Sequence, residues 1–354
     1  MKLALTITAA LLVCSAVASA QEPAEPTPVD AENDPVELAV ERGIGFVLSQ
    51  QNDDGSFGNE RRHVVAMTSL SLMSLLATGH LPTDPTPQGR AMERAISFIL
   101  RDDLQTPEGY FGDSDGSRMY GHGITTLLLS ELLGMTGSEE ADAAVLRKLE
   151  KAVGLILRSQ QVPKYAERFN GGWRYSPGAR DSDLSVTVWQ VMALRSAKEA
   201  GLEVPAASIE QAVAYLKRSF LEARRAPGGV FSYQPGMMQA GYSQTAAGLL
   251  ALQVCGEYNA PEVEAATEWL LAKPLEAREN WFFYGTYYYA QGMHQRQGET
   301  AELATQRVRE ALLPIQNGDG SWYGVGQAAD RVYATNMALL SLSVRYHYLP
   351  IYQR

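Results

Sequence analysis

Internal repetition is the feature that most constrains what this chain can fold into. An amphipathic segment, a glycine-containing loop ending in an aromatic residue, and a second, more apolar segment recur at intervals of roughly 40 to 60 residues, the spacing of stacked helical repeats. The first unit reads AVERGIGFVLSQQNDDGSFG and then VVAMTSLSLMSLLATG; the last reads VREALLPIQNGDGSWYG and then RVYATNMALLSLSVRYHYL. Four units between them have loop centres at Phe111 (EGYFG), Trp173 (GGWRY), Phe231 (GGVFSY) and Trp281 (ENWFFYG), which makes six helical hairpins.

The two helices of a hairpin differ in character. In the first, apolar residues fall three and four apart with charges between them, as Ile96, Ile99 and Leu100 do beside Arg94 and Arg101, so only one face is buried. The second, as in GITTLLLSELLG and SQTAAGLLALQV, is apolar around most of its circumference and carries Ala, Gly, Ser and Thr that permit close approach. Six one-sided helices outside and six more apolar helices inside predict an all-α (α/α)6 toroid, a double ring that can close so that no end repeat needs a polar cap. No period-two strand pattern competes with this reading.

In QQNDDGSF and IQNGDGSW the Asn, Asp and Gly supply a tight turn with positive φ, and the aromatic folds back over the end of the preceding helix. Gln51 and Gln316 are placed to cap exposed backbone groups there. The loop therefore reads as a structural staple. These loops resemble the QW motifs of the squalene-cyclase and protein-prenyltransferase families, and the resemblance extends over essentially all of residues 36–354. It implies an α/α toroid of six hairpins in which each loop leads from an outer helix to an inner one, with the first turns of the inner helices facing a common cavity.

Around this ring, the ends of the chain read differently. Lys2, the apolar run LALTITAALLVCSAV and the small residues Ala18 to Ala20 have the form of a signal peptide cleaved near Ala20, which predicts export to the periplasm or beyond. Cys14 offers a lipoprotein alternative, but Val13 occupies the place where a small residue would precede a lipidated cysteine. Residues 21–35 carry prolines and acids with little to bury and read as a solvated tether. The toroid is then expected over 36–354. Cleavage leaves Cys255 alone, so no intramolecular disulfide is expected. A net charge of -10, with no basic cluster, argues against nucleic acid as a partner. No transmembrane segment is expected in the mature chain.

The stretch DSDLS gives the resemblance its sharpest functional implication. It matches, at the mouth of the third inner helix, the D-x-D-D acid of class II terpene cyclases: Asp181 matches the first Asp, Asp183 the middle one that protonates an alkene or epoxide, and Leu184 replaces the last. The same Asp183 also reads as an N-cap of LSVTVWQVMALRSA, satisfying free N–H groups for about 1 kcal/mol. His122 and His63 are the expected proton partners. Other polar and aromatic residues fall at corresponding junctions: Tyr120, Trp173, Tyr242, Gln244, Tyr284, Tyr287, Tyr288, Arg331 and Tyr333. If the ring closes, they converge on one ligand-binding mouth.

Chemistries of related folds are narrowed by departures. Prenyltransferases of this ring bind zinc through Asp, Cys and His, but Cys255 falls near the far end of the fourth inner helix, so neither a metal nor another cofactor is expected. CGEY at Cys255 to Tyr258 differs from a Cys-Gly-Glu-Gln thioester by the residue that would supply the acyl group. Three functions remain: an exported module binding an isoprenoid, lipid or peptide in its cavity; a terpene-cyclase-like enzyme with Asp183 as general acid; and a carbohydrate-processing enzyme on an analogous barrel, which would need two separated carboxylates.

Overall fold

The computed structural model describes residues 34–58, 62–222, 227–238, 240–323, 330–346, 349 and 351. The expected signal peptide and nearly all of the expected tether lie outside the described residues. The first helix begins one residue earlier than anticipated: Pro35 supplies its fixed φ, and the Asp34 carboxylate accepts from the Val36 N–H at 2.9 Å as the N-cap.

Among the described residues twelve α-helices alternate between the two rings. The outer ring holds α1 (Pro35–Ser49), α3 (Pro87–Ile99), α5 (Glu139–Gln160), α7 (Ala206–Arg218), α9 (Pro261–Leu271) and α11 (Gly298–Leu312). The inner ring holds α2 (Val64–Ala77), α4 (Arg118–Leu132), α6 (Leu184–Glu199), α8 (Tyr242–Val254), α10 (Phe282–His294) and α12 (Arg331–Leu342). Each inner helix packs on the next and α12 returns to α2, so the ring is closed.

The inner helices are buried on nearly every side, and their small polar residues are satisfied without water. Thr68, Ser69, Ser74, Thr126, Thr187 and Ser341 each donate to the carbonyl four residues back. Longer amides tie neighbouring helices together: Gln190 Nε2 donates to Met119 O at 2.8 Å, and Gln253 Nε2 to Gly292 O at 2.8 Å. Asn336 Nδ2 reaches Ser71 Oγ at 2.9 Å, across the seam where the last inner helix meets the first.

The staple has the same construction in most repeats. The loop aromatic is buried and its N–H donates to a side chain one turn into the inner helix: Phe57 to Thr68, Phe111 to His122, Trp173 to Thr187, Phe231 to Thr245 and Trp322 to Thr335. The indoles of Trp173 and Trp322 also donate to Ile156 O and Leu312 O at the ends of the preceding outer helices. In four loops one glutamine amide donates both to its own loop and to the next outer helix: Gln51 to Gly55 O and Ala91 O, Gln105 to Gly109 O and Lys148 O, Gln160 to Gly171 O and Ser208 O, Gln316 to Gly320 O and Ala39 O. The last of these returns to α1 and closes the outer ring.

Two local departures from expectation have physical causes. Between α7 and α8 a short antiparallel pair forms, β1 (Phe220–Glu222) with β2 (Gly229–Phe231), its Phe220 and Phe231 rings edge to face at 5.4 Å. Three residues are too few to announce themselves by alternation. In the fifth junction Trp281 is exposed at φ +62 and is no staple; Phe282 is the buried aromatic there. That loop carries no positive-φ glycine of the kind that lets the other loops press on the next outer helix.

Candidate functional site

Loop three builds the site outward from its staple. Asp183 N–H donates to Trp173 O at 2.9 Å, which folds residues 174–182 back over the start of α6. Asp183 is fully buried and does cap α6: Oδ1 accepts from Val186 N at 2.9 Å and from Ser185 Oγ at 2.6 Å. Its other oxygen accepts from Arg174 Nη1 at 2.7 Å. Arg174 also approaches Asp181 through Nε at 3.3 Å and donates to Tyr233 Oη at 2.8 Å, while its guanidinium lies over the Tyr175 ring at 4.5 Å.

Loop four locks onto the same group. Leu184 N–H donates to Tyr233 O at 2.9 Å, Gln234 Nε2 donates to Ser182 O at 2.9 Å, and the Tyr175 and Tyr233 hydroxyls share a 2.5 Å hydrogen bond. Tyr120 on α4 donates to Ser185 Oγ, and Tyr284 on α10 donates to Ser185 O at 3.3 Å. Tyr333 on α12 stands close enough to Tyr284 and Tyr288 to act on them electrostatically. Tyr120, Arg174, Tyr175, Asp181, Tyr233, Tyr284 and Tyr333 are all half-buried, so together they form a partly exposed polar face, the bowl, rather than vanish into the core.

The interior of the ring beneath the bowl is filled. Trp189 on α6 stacks on Tyr287 of α10 at 5.7 Å and lies 5.8 Å from Tyr288; because α8 separates those helices in the ring, the contact crosses the inside. All three side chains are buried. Tyr284 meets Tyr288 edge to face at 4.7 Å and makes part of the floor.

The charges set what this group can do. Burial pushes the Asp183 carboxyl upward, while Ser185, Val186 and Arg174 pull it down. Burial works against the charge of Arg174, but Asp183, Tyr233 and Asp181 outweigh it and hold the proton more firmly than usual. On balance burial prevails for Asp183, whose carboxyl lies above its ordinary range. Burial raises the phenols of Tyr120 and Tyr284 well above their ordinary range, which keeps them hydrogen-bond donors. The three donors favour the ionised form of Asp183, whereas protonating an alkene requires the neutral acid.

Several expected site residues lie elsewhere. His122 is fully buried on the outer side of α4, its Nδ1 accepting from Phe111 N–H at 3.3 Å and its Nε2 facing Ala152 O at 3.2 Å. It occupies the place that Thr takes in the other staples, and both ring nitrogens are used, so it is not a proton partner of Asp183. His63 is an exposed residue at φ +60 before α2. Trp173 is a buried staple, and Tyr242 is buried between α8 and α10 with its hydroxyl on Thr286. Gln244 is half-exposed and accepts from Ser243 Oγ at 3.2 Å. Arg331 turns outward over Phe46 of α1 and pairs with Asp319.

The residues that organise the bowl beside Asp181 and Asp183 and that went unremarked in the sequence are Arg174, Tyr175, Trp189, Tyr233 and Gln234. A signal for two of them was present. WRYSPG at 173–178 and FSYQPG at 231–236 place a tyrosine two residues after the staple aromatic, followed by the same Pro-Gly turn. Tyr175 and Tyr233 are those tyrosines.

No known family profile matches the sequence. Solved structures match over nearly the full toroid. An α-1,6-mannanase of Salegentibacter sp. HEL1_6, in complex with α-1,6-mannotriose, superposes with TM-score 0.60 at 8% identity, covering 88% of this chain and 98% of that one. Cellobiose 2-epimerase from Bacillus thermoamylovorans B4167 gives 0.61 at 12%, with coverage of 87% and 99%. A variant of type II terpene cyclase MstE from Scytonema, in complex with geranylgeranyl dihydroxybenzoate, gives 0.56 at 14%, with coverage of 89% and 98%. At such identities the likeness is one of architecture: the chain has the α/α-toroid fold common to terpene cyclases and to sugar-acting toroid enzymes.

Proposed function

We propose that this protein is an exported toroid that binds a saccharide in the bowl at the first turns of its inner helices. The observation that carries this reading is the convergence of half-buried tyrosine hydroxyls on the Arg174, Asp181 and Asp183 group above a filled ring interior. A sugar needs fixed donors and acceptors at its edges and flat rings at its faces, and this bowl supplies both. Exposed Tyr165, Trp281 and Tyr323 on the third, fifth and sixth junctions add further faces for stacking. An enclosed polyprene would need an open apolar interior, where Trp189, Tyr287 and Tyr288 stand.

Binding fits better than hydrolysis, because Asp181 and Asp183 share one guanidinium instead of standing apart on the two sides of a bound sugar. The exposed methionines Met237 and Met238 on the fourth junction favour a second reading, a lipid or isoprenoid lying across the rim.

Calorimetric titration of the purified protein with manno-, cello- and xylo-oligosaccharides, beside geranylgeraniol in detergent, separates the two. Saccharide binding by wild type, weakened tenfold or more in the Tyr175→Phe/Tyr233→Phe variant, is expected. Binding of geranylgeraniol alone, or a double variant that binds sugar as wild type does, would overturn the saccharide reading.

A further inference from the structure

Among the described residues four other than glycine hold a left-handed backbone, and three of these stand where an inner helix begins: His63 before α2, Arg118 opening α4 and Trp281 before α10. Their φ values are +60, +59 and +62. Glycine takes this conformation without steric cost, whereas a residue with a Cβ is strained in it. The fold gives no return for that strain. All three side chains are exposed, and none makes a hydrogen bond or ion pair with another described residue. Strain of this kind is kept where a side chain serves a ligand.

Arg118 is tied to the bowl by backbone and side chain alike. Its own N–H donates to Gly112 O at 2.9 Å, and the next N–H, of Met119, donates to Tyr175 O at 3.1 Å. A glycine at 118 would keep both bonds, so neither requires an arginine. The guanidinium lies 6.0 Å from the centre of the Tyr175 ring, the same ring that Arg174 approaches at 4.5 Å. Two guanidinium groups therefore converge on one half-buried phenol. Arg174 has its counter-charge in Asp183 and Asp181. Arg118 has none: Asp113 and Asp115 are near enough to act with it on the Tyr110 phenol, yet neither pairs with it. Both Asp115 oxygens are committed to backbone N–H groups, one to Val65 and Ala66 and the other to Ser117.

We propose that Arg118 is a specificity-determining residue of the bowl and that the saccharide it selects is acidic, a uronate whose carboxylate pairs with the Arg118 guanidinium beside Tyr175. Resting on the saccharide reading of the bowl, this narrows the ligand from sugars in general to those that carry a carboxylate. A planar guanidinium meets a carboxylate with two parallel charge-assisted hydrogen bonds, which a neutral hydroxymethyl group cannot match. The other two strained residues flank the same face. His63 N–H donates to Asp115 O at 2.9 Å in the loop that leads to Arg118, and Trp281 stands three residues before Tyr284 of the bowl.

Calorimetry with matched sugars tests the assignment: cello-oligosaccharides against the same chains oxidised to uronates at C6, manno-oligosaccharides against oligomannuronates, and xylo-oligosaccharides against glucuronoxylo-oligosaccharides. Wild type should bind the acidic member of at least one pair about tenfold or more tightly than the neutral one. Arg118→Gln keeps the strained backbone and removes the charge, and Arg118→Gly removes both; each should bring the acidic member down to the level of its neutral partner. Because glycine relieves the strain, Arg118→Gly should melt no lower than wild type, which separates lost binding from lost folding. Equal binding of acidic and neutral members, or an acidic preference that survives in both variants, would overturn the role of Arg118 and leave the saccharide reading standing. Failure of wild type to bind any sugar of the panel would overturn both.

Discussion

Asp183 is held by a helix N–H, a hydroxyl and a guanidinium, and the three can be separated by substitution. Asp183→Asn keeps a side-chain oxygen for the Val186 N–H and loses the ion pair. Arg174→Met keeps the cap and leaves a buried carboxylate without its counter-charge. Breaking a buried pair from one side costs about 3 to 5 kcal/mol, whereas the neutral isostere leaves no orphaned charge, so Arg174→Met should be the more damaging in urea melts. If Asp183→Asn proved as costly as Arg174→Met, the charge of the pair would matter less than its geometry. His122 gives a separate residue-scale test. Burial lowers its pKa from 6.5 to about 4, with the Ala152 carbonyl acting against that shift. Above pH 6.5 the ring is neutral in both folded and unfolded chains; below it the unfolded chain takes up the proton first. Stability attributable to His122 is therefore lost as pH falls from 6.5 towards 4, by about 3 kcal/mol over the full range. His122→Thr, the residue used at equivalent staples, should remove this part of the pH dependence. Glu131 has the opposite sign, gaining native stability as pH falls through about 7, so the measurement is the difference between wild type and variant.

At the scale of the element, the staple explains which parts of the architecture could be read in advance. Its glycines are required by geometry: Gly171 sits at φ +89 with its Cα against the Gln211 carbonyl of α7, and a Cβ there would strike that carbonyl. Gly178 in the same loop has open space around it and no positive φ. Gly171→Ala should therefore lower stability by about 2 kcal/mol or more in a thermal or urea melt, while Gly178→Ala should change it by less than about 1 kcal/mol. A chemical requirement repeated at a fixed spacing is visible in sequence, and so were the hairpins, the closure and the positions of Asp183, Tyr120 and Tyr284. The bowl itself was only half visible, because its organiser Arg174 acts through residues on other loops and no periodicity marks such a contact. His122 misled for a related reason. A histidine near a helix start suggests proton transfer, yet the helix turns it outward, where the staple needs only an acceptor. Trp173 and Arg331 share that cause: one lies in the loop before an inner helix and the other begins one, but both face the outer ring.

For the whole molecule, the question is whether the ring is closed as tightly at its seam as elsewhere. A linear stack of repeats frays from its ends, since terminal units lack one neighbour. Here the first and last repeats are joined by Asn336 to Ser71, by Gln316 to the Ala39 carbonyl, and by Arg345, which pairs with Asp34 at 2.7 Å and also with Glu37. Gln316 repeats at the seam the bridge that Gln160 makes between the third and fourth repeats, down to the two carbonyls each amide satisfies. Each truncation to alanine removes the donor for two carbonyls, so Gln316→Ala and Gln160→Ala should cost about 1 to 3 kcal/mol each and to similar extents. Amide hydrogen exchange gives the stricter test. In a closed ring α1 and α12 should be protected to the same order as α6, and Gln316→Ala should lower protection across both helices of the seam before the global melt shifts appreciably. Rapid exchange confined to α1 and α12 in wild type would mean that the seam opens by itself and that the molecule behaves as a stack with two free ends. Because the bowl draws Tyr284 and Tyr333 from the two helices nearest that seam on one side and Arg174 from the third repeat on the other, such opening would also loosen the floor against which a ligand rests.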